Sequence, residues 1–381
     1  MKKTITTLSI VSMLTLSSCN ILPSKNQVND ISDTINTSTP LISPSPTIDP
    51  ITSTPISTYT PLVPTETLTP QLSISNVEQD SDSIRFDEIE NEIHGILEKK
   101  DYDCNAGVSL YKIQEQEIIK IIELNEDRPL DMMSLFKIQL ATLYYISVPQ
   151  DLWENHSKII QRTVYDSDPY TTTTLFKIIE ENTNSDNALE DLNNFLLENN
   201  IDQTIISKWK VKSNDYMPSD YSNTVSCQPH SEIIDCNKTT TATDINIFYS
   251  RLISRNLTWN GQRISQEGID TLLSHIKMNR TYPSESQEEH NNRFYIDSGF
   301  DTNVYIFANR GTYYDSSGKD PYPVVHNEAG IINTGEGIYS FAVLAQGCGG
   351  FEEKGNIYRT YDLFKEISEK LNSAITIIEK K

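Results

Sequence analysis

MMSLFKIQLA, residues 132–141, sets a serine just ahead of an apolar-periodic run, with a lysine three positions later. On a helix, residues i and i+3 are neighbours on one face, so Ser134 and Lys137 can cooperate as nucleophile and base. The spacing alone decides nothing. Ser-x-x-Lys also occurs at Ser109–Lys112, Ser207–Lys210, Ser274–Lys277 and Ser316–Lys319. On a strand, i and i+3 point to opposite faces, which removes Ser109 and Lys112 from consideration. Ser274 lies deep within a helical pattern, Ser316 sits in a Ser-Ser-Gly turn, and Ser207 lacks a helix start. Only Ser134 stands where Arg128-Pro129-Leu130-Asp131 gives way to LFKIQLATLYY. A helix N-terminus offers unpaired N–H groups and a positive dipole end to a developing oxyanion.

Outward from this stretch, the elements order themselves. RFDEIENEIHGILEKK (85–100) carries Phe86, Ile89, Ile93, Ile96 and Leu97 on one helical face. GVSLYKI (107–113) and EIIKIIEL (117–124) read as a hairpin. Three further strands come late: NVYIFANRG (303–311), HNEAGIIN (326–333) and IYSFAVLAQ (338–346). A final helix over 361–378 aligns Phe364, Ile367, Leu371, Ala374, Ile375 and Ile378. The long segment between the two β groups is dominated by helical patterns. The simplest closure is an α+β fold: an antiparallel sheet built from both ends of the chain, with helices packed on its faces.

The chain has 381 residues, but the first eighty or so are not expected to join that core. MKKTITTLSIVSMLTLSSC has two lysines, an apolar run too short for a permanent membrane span, and small residues leading to Cys19. Residues 20–83 are rich in Ser, Thr and Pro, with no Lys or Arg between Asn26 and Ile84, a composition that cannot offset its ordering entropy. This reads as a disordered tether whose roughly sixty residues, at about 3.1 Å each if polyproline-like, could reach ~200 Å. The folded domain is expected over 84–381.

With 31 basic against 53 acidic residues, the net charge is −22, and no basic cluster is present. That argues against nucleic acid as a partner. Beyond Cys19, four cysteines remain: Cys104, Cys227, Cys236 and Cys348. With no Cys-x-x-Cys or closely spaced histidine pair, disulfides are favoured over a metal, and no cofactor is implied. Cys227 and Cys236 are close enough to staple one loop.

Downstream, FKIIEENTNSDNALEDLNNFLL contains Ser185-Asp186-Asn187 between two helical runs. With Ser134-x-x-Lys137 before it, the order resembles the penicillin-recognising serine hydrolases, above all their class A β-lactamase-like branch. NKTTTATD (237–244) resembles the start of the helix after that family's omega loop, and HNEAGII followed by YSFAVLAQ resembles its last hairpin. Leu16-Ser17-Ser18-Cys19 resembles the bacterial lipobox, which implies a diacylated Cys19 and attachment to the extracytoplasmic face of a cell membrane.

The resemblance implies a β-lactamase/transpeptidase-like fold with a five-stranded antiparallel sheet and an all-helical lobe. It implies a monomer acting on a small β-lactam or a peptidoglycan stem. Ser134 would form an acyl-enzyme, Lys137, with a depressed pKa, would take its proton, and Ser185 would relay a proton to the leaving nitrogen. Asn187 would bond the substrate's side-chain amide, and Asp186 the loop's own backbone. Ser185–Asn187 is also a natural helix-capping turn. In the family's topology the first strand lies beside the last, which implies a Cys104–Cys348 bridge, with Cys227–Cys236 pinning the loop below the site. Counting free thiols before and after reduction tests both.

Two departures matter. The family's Lys-Thr-Gly reads Asn309-Arg310-Gly311, with Arg310 in the threonine's place and the Thr312 N–H retained as a second oxyanion donor. Asn309, Arg310, Gly311 and Thr312 are thus the expected substrate-binding strand. Asn333-Thr334-Gly335 retains Thr-Gly but falls in a hairpin turn. The omega-loop glutamate has no clear match; Glu232, Asp220 and Asp235 are the acids available, with Glu232 first. Slow deacylation follows from that loss. A D,D-peptidase and a non-catalytic surface binding domain are the competing readings.

Overall fold

The computed structural model describes residues 73–76, 81–99, 105–114, 117–210, 220–222, 238–276, 296–300, 304–315, 322–347 and 356–380, all within the unit Thr67–Lys381. Cys19, Cys104, Cys227, Cys236, Cys348, Glu232 and Asp235 lie outside the described residues.

The main sheet is assembled from both ends of the chain. Its strands are β1 (Ser73–Asn76), β2 (Asn105–Gln114), β3 (Glu117–Leu124), β11 (Tyr305–Asp315), β12 (Tyr322–Asn333) and β13 (Ile338–Gln346), ordered β1-β3-β2-β13-β12-β11. Every pairing is antiparallel except β1 with β3. The sheet therefore has six strands where five were expected. The sixth lies in the stretch read as tether, and α1 (Ser81–Leu97) also begins before its end. SISN offers one apolar side chain, and Ile74 is 43% exposed. The strand is held by backbone pairing and by the Ser75 hydroxyl donating to Glu117 Oε1 at 2.6 Å, which leaves no hydrophobic pattern to read.

Alternation along the strands divides the core in two. On one face Ala329, Ile331, Ala342 and Leu344 pack against the helical lobe: α2 (Phe136–Ser147), α3 (Trp153–Val164), α4 (Pro169–Thr183), α5 (Ala188–Glu198), α6 (Ala242–Ile253) and α7 (Gln266–Ile276). On the other, Ile332, Phe341 and Val343 pack against α1 and α8 (Asn356–Glu379). This is the side-chain period of two at work. A small second sheet, β4 (Leu130–Asp131), β8 (Lys238–Thr240) and β5 (Ile205–Ile206), lies at the start of α2. Asn333–Gly337 closes the β12–β13 turn, with Gly335 at φ +87° and its N–H on Asn333 Oδ1, so Asn333-Thr334-Gly335 is a turn.

Candidate active site

Asp131, the last residue of β4, is fully buried and delivers the chain to Ser134. Its backbone is tied to the main sheet at both ends. Asn327 Nδ2 on β12 donates to Asp131 O at 2.6 Å, and Asp131 N donates to Gln346 Oε1 on β13 at 3.2 Å. Met132 N then donates to Lys238 O on β8 at 2.9 Å. The next residues form a tight 3-10 turn, Met133–Leu135, before α2 begins at Phe136. Met133 has φ +51°, a conformation that costs a non-glycine residue on the order of 1 kcal/mol or more and persists only where its surroundings impose it. The strained residue directly precedes Ser134.

The edge strand β11 closes on this turn. Phe307 packs toward the helical lobe while Ile306 and Ala308 pack toward α8, so Asn309 and Gly311 take the lobe side. Asn309 Nδ2 donates to Ser134 O at 3.4 Å. A Cβ on Gly311 would lie 2.7 Å from Met132 O and 3.0 Å from Ser134 N, so only glycine lets the strand come this near. Arg310 N donates to Asn309 Oδ1 at 2.8 Å, and so faces the open edge and not β12. Two residues on, the Thr312 N–H points the same way.

Lys137, the second residue of α2, is 2% exposed. Its Nζ donates to Ser167 O at 2.5 Å and lies 5.8 Å from the Trp209 ring centroid. Trp209, unforeseen from the sequence, meets Phe136 edge-on at 5.3 Å and donates its indole N–H to Thr173 Oγ1 at 3.1 Å. Lys238 Nζ covers the same ring at 5.2 Å. This aromatic wall fixes the stem of Lys137 from both α2 and β6 (Lys208–Lys210).

Ser185-Asp186-Asn187 links α4, whose C-cap Asn184 is left-handed at φ +53°, to α5. Asn187 Oδ1 accepts from Leu189 N and Glu190 N at 3.2 and 3.3 Å, the work of an N-cap. Ser185 Oγ accepts from Asn187 N at 3.2 Å, and burial pushes the neighbouring Asp191 carboxyl above its ordinary pKa, opposed by Ser185. Asp186 is exposed. The capping geometry is therefore present, and Asp191 is a titratable neighbour of Ser185 that no motif signalled.

The structure thus brings Ser134, Asn309 and Gly311 together and sets Lys137 one turn beyond. Asn309 is 3% exposed, with Nδ2 on Ser134 O and Oδ1 on Arg310 N, so its amide braces the Ser134 turn. Arg310 and Thr312 take the opposite face, across from Glu328 and His326 in the register.

No family model matches this sequence, and no curated protein matches it. Solved structures do. A substituted form of the TLA-1 extended-spectrum β-lactamase superposes with TM-score 0.52 at 15% identity, covering 76% of this chain and 99% of that one. The fold is β-lactamase/transpeptidase-like. A β-lactamase from Chitinophaga pinensis gives 0.51 at 14% identity, over 76% and 99% of the two chains. A mutant of PBP-A, as its acyl-enzyme complex with penicillin G, gives 0.51 at 12% identity, over 76% and 97%. Beside the five strands expected, the sheet here carries an added parallel edge strand.

One acid in the support of this site makes stability depend on pH. Asp244 on α6 accepts from Thr204 Oγ1 at 2.9 Å, and its N–H donates to the N-cap Thr241 Oγ1 at 3.0 Å. Burial pushes its pKa up to about 6. A raised carboxyl pKa favours the protonated form in the folded state, so its stabilising effect is full below about 3.9 and is lost as pH rises through about 6. Asp244→Asn removes this titration. The melting-temperature difference, variant minus wild type, should climb between pH 4 and 7 and then level off, by an amount equivalent to at most ~3 kcal/mol. A flat difference across that range would show that Asp244 titrates normally.

Proposed function

We propose that this protein is a serine hydrolase of the β-lactamase-like superfamily that forms an acyl-enzyme at Ser134 with β-lactams or related amides. The observation that carries the reading is the close approach of Gly311 to the strained Met133–Leu135 turn, which sets an edge-strand N–H beside the N-terminus of a helix bearing a serine. Ser134 Oγ attacks the carbonyl carbon and Lys137 takes the hydroxyl proton. The N–H groups of Ser134 and Thr312 receive the oxyanion. Ser185 relays that proton from Lys137 to the leaving nitrogen, whose bond to the carbonyl carbon breaks as Ser134 becomes the ester.

The third motif supports slow turnover. Asn309 stands where the resemblance places a lysine, and its amide is committed to Ser134 O and Arg310 N. With that cation missing and no matched omega-loop glutamate, acylation outlasts hydrolysis, the behaviour of a penicillin-binding protein acting on peptidoglycan stems. On the lipobox-like Leu16-Ser17-Ser18-Cys19, we further place the chain on a membrane through a lipid at Cys19, with residues 20–72 as its tether.

The test is covalent labelling. Incubation with a fluorescent penicillin should give a stable adduct that peptide mapping assigns to Ser134, and Ser134→Ala should give none. A chromogenic cephalosporin should be hydrolysed slowly or in a single burst. Absence of any Ser134-dependent adduct or turnover would leave a non-catalytic domain on this fold.

A further inference from the structure

Beneath the edge strand lies a polar cluster that no motif of the sequence explains. His326 and Glu328 on β12 are 2% and 0% exposed. They face the α8 side of the sheet, where Phe364 meets the imidazole edge-on at 4.7 Å. His326 Nε2 and Glu328 Oε1 are 2.7 Å apart. Glu328 Oε2 accepts from Ile296 N at 2.8 Å, at the start of the 3-10 turn Ile296–Gly299 that packs on α8. His326 Nδ1 lies 3.3 Å from Thr312 Oγ1. Arg310 faces Glu328 across the strand pair.

The hydrogen-bond directions follow from the donor inventory. A carboxylate only accepts, so Glu328 takes the Nε2 proton of a neutral imidazole. Nδ1 is then an acceptor, and the Thr312 hydroxyl donates to it. Burial lowers the imidazole's pKa, opposed by Glu328 and assisted by Arg310, which keeps the ring neutral. The result is a continuous chain, Thr312 O–H to His326 to Glu328 to Ile296 N–H. It joins β11 to the segment packed on α8. Burying the Glu328 carboxylate is costly in desolvation, and these hydrogen bonds offset that cost, so their effect is to fix geometry.

Resting on the acyl-transfer reading above, we infer that His326, oriented by Glu328, is a positioning residue that holds the Thr312 hydroxyl and so fixes the Gly311–Thr312 edge, whose N–H faces Ser134. β11 is an outermost strand, paired on one side only by β12. An edge strand frays at low free-energy cost unless something beyond its ladder restrains it. Here the restraint is applied from the buried face, at the residue whose backbone serves the site.

The experiment uses the full chain, in wild type, Thr312→Val, His326→Phe and the double variant. Valine keeps the shape of threonine and deletes the hydroxyl. Phenylalanine keeps packing on Phe364 and deletes both bonds. Hydrogen exchange across 305–315 is expected to quicken by about tenfold or more in each single variant. Penicillin acylation of Ser134 should slow by ~10–100-fold, in the maximal rate and not in half-saturation. The double variant should be no worse than the poorer single one, since both break one chain. Unchanged exchange in Thr312→Val, or additive losses in the double variant, would overturn the inference whether or not the protein reacts with penicillin. Faster exchange with undiminished acylation would overturn it too. If the wild type gives no Ser134 adduct while exchange responds as described, the acyl-transfer reading fails and the restraint on β11 is upheld. Should His326→Phe fail to fold, Thr312→Val alone decides, through both readouts.

Discussion

Gly311→Ala is expected to lower the rate of Ser134 acylation by at least ~100-fold while the chain still folds. The new Cβ would sit 2.7 Å from Met132 O, 3.0 Å from Ser134 N and 3.0 Å from Met133 Cβ. Two of these three are backbone atoms of a tight turn, and the third belongs to a residue already held at φ +51°. None can rotate away as a long side chain would. The strand must therefore separate from the turn by a few tenths of an ångström or more. Separation moves the Thr312 N–H away from the Ser134 N–H, and it stretches the 3.4 Å bond from Asn309 Nδ2 to Ser134 O. Loss of one oxyanion donor costs about 100–1000-fold, and a misplacement near 1 Å costs about 100-fold. Folding is spared because β11 keeps its full ladder with β12. Stopped-flow labelling with fluorescent penicillin, beside circular dichroism, checks both halves. Acylation within about threefold of wild type would mean that this approach does not set the oxyanion geometry.

What the sequence discloses tracks how local the determining physics is. β3 and β13 were legible to the residue, at Glu117–Leu124 and Ile338–Gln346, because β-branched runs are bounded by polar turns. β11 and β12 extend further than expected, to Asp315 and back to Tyr322. Their added residues are Tyr-rich or contain proline, and show little alternation. β1 was invisible for the reason already given: its pairing is made by backbone, and backbone carries no residue code.

The same division holds at the site. Ser134 and Lys137 could be chosen from five matches because a helix start is a local event. The amides that hold the turn could not. Asn327 and Gln346 are 196 and 215 residues from Asp131, and each looks in sequence like a polar residue on a strand. Trp209 meets Phe136 edge-on and lies under the Lys137 ammonium from across the lobe. His326 was visible only as part of a hairpin, since its partner Thr312 comes from the neighbouring strand. Non-local pairs of this kind are what the topology creates, and they decide whether a serine beside a lysine becomes a nucleophile.

Two glycine substitutions of opposite sign show how the sheet holds its edge. At Gly330 on β12 an added Cβ would fall on the Phe307 carbonyl oxygen and lie 2.7 Å from Ala308 Cα. Both are backbone atoms of β11, so relief requires parting the two strands along the ladder that carries Asn309–Thr312. The expected cost is upward of ~3 kcal/mol, at the severe end for a single substitution, because strain and lost pairing add. At Gly95, on the exposed face of α1, nothing lies within 4 Å of the added Cβ. There Gly→Ala removes only the entropy cost of glycine in a helix and should stabilise by ~0.5–1 kcal/mol. Urea midpoints at constant slope measure both. The first should fall steeply and the second rise slightly. Should Gly330→Ala leave the midpoint where it is, β11 must be able to move off β12 without loss, and the rigid edge on which the Ser134 site depends would not exist.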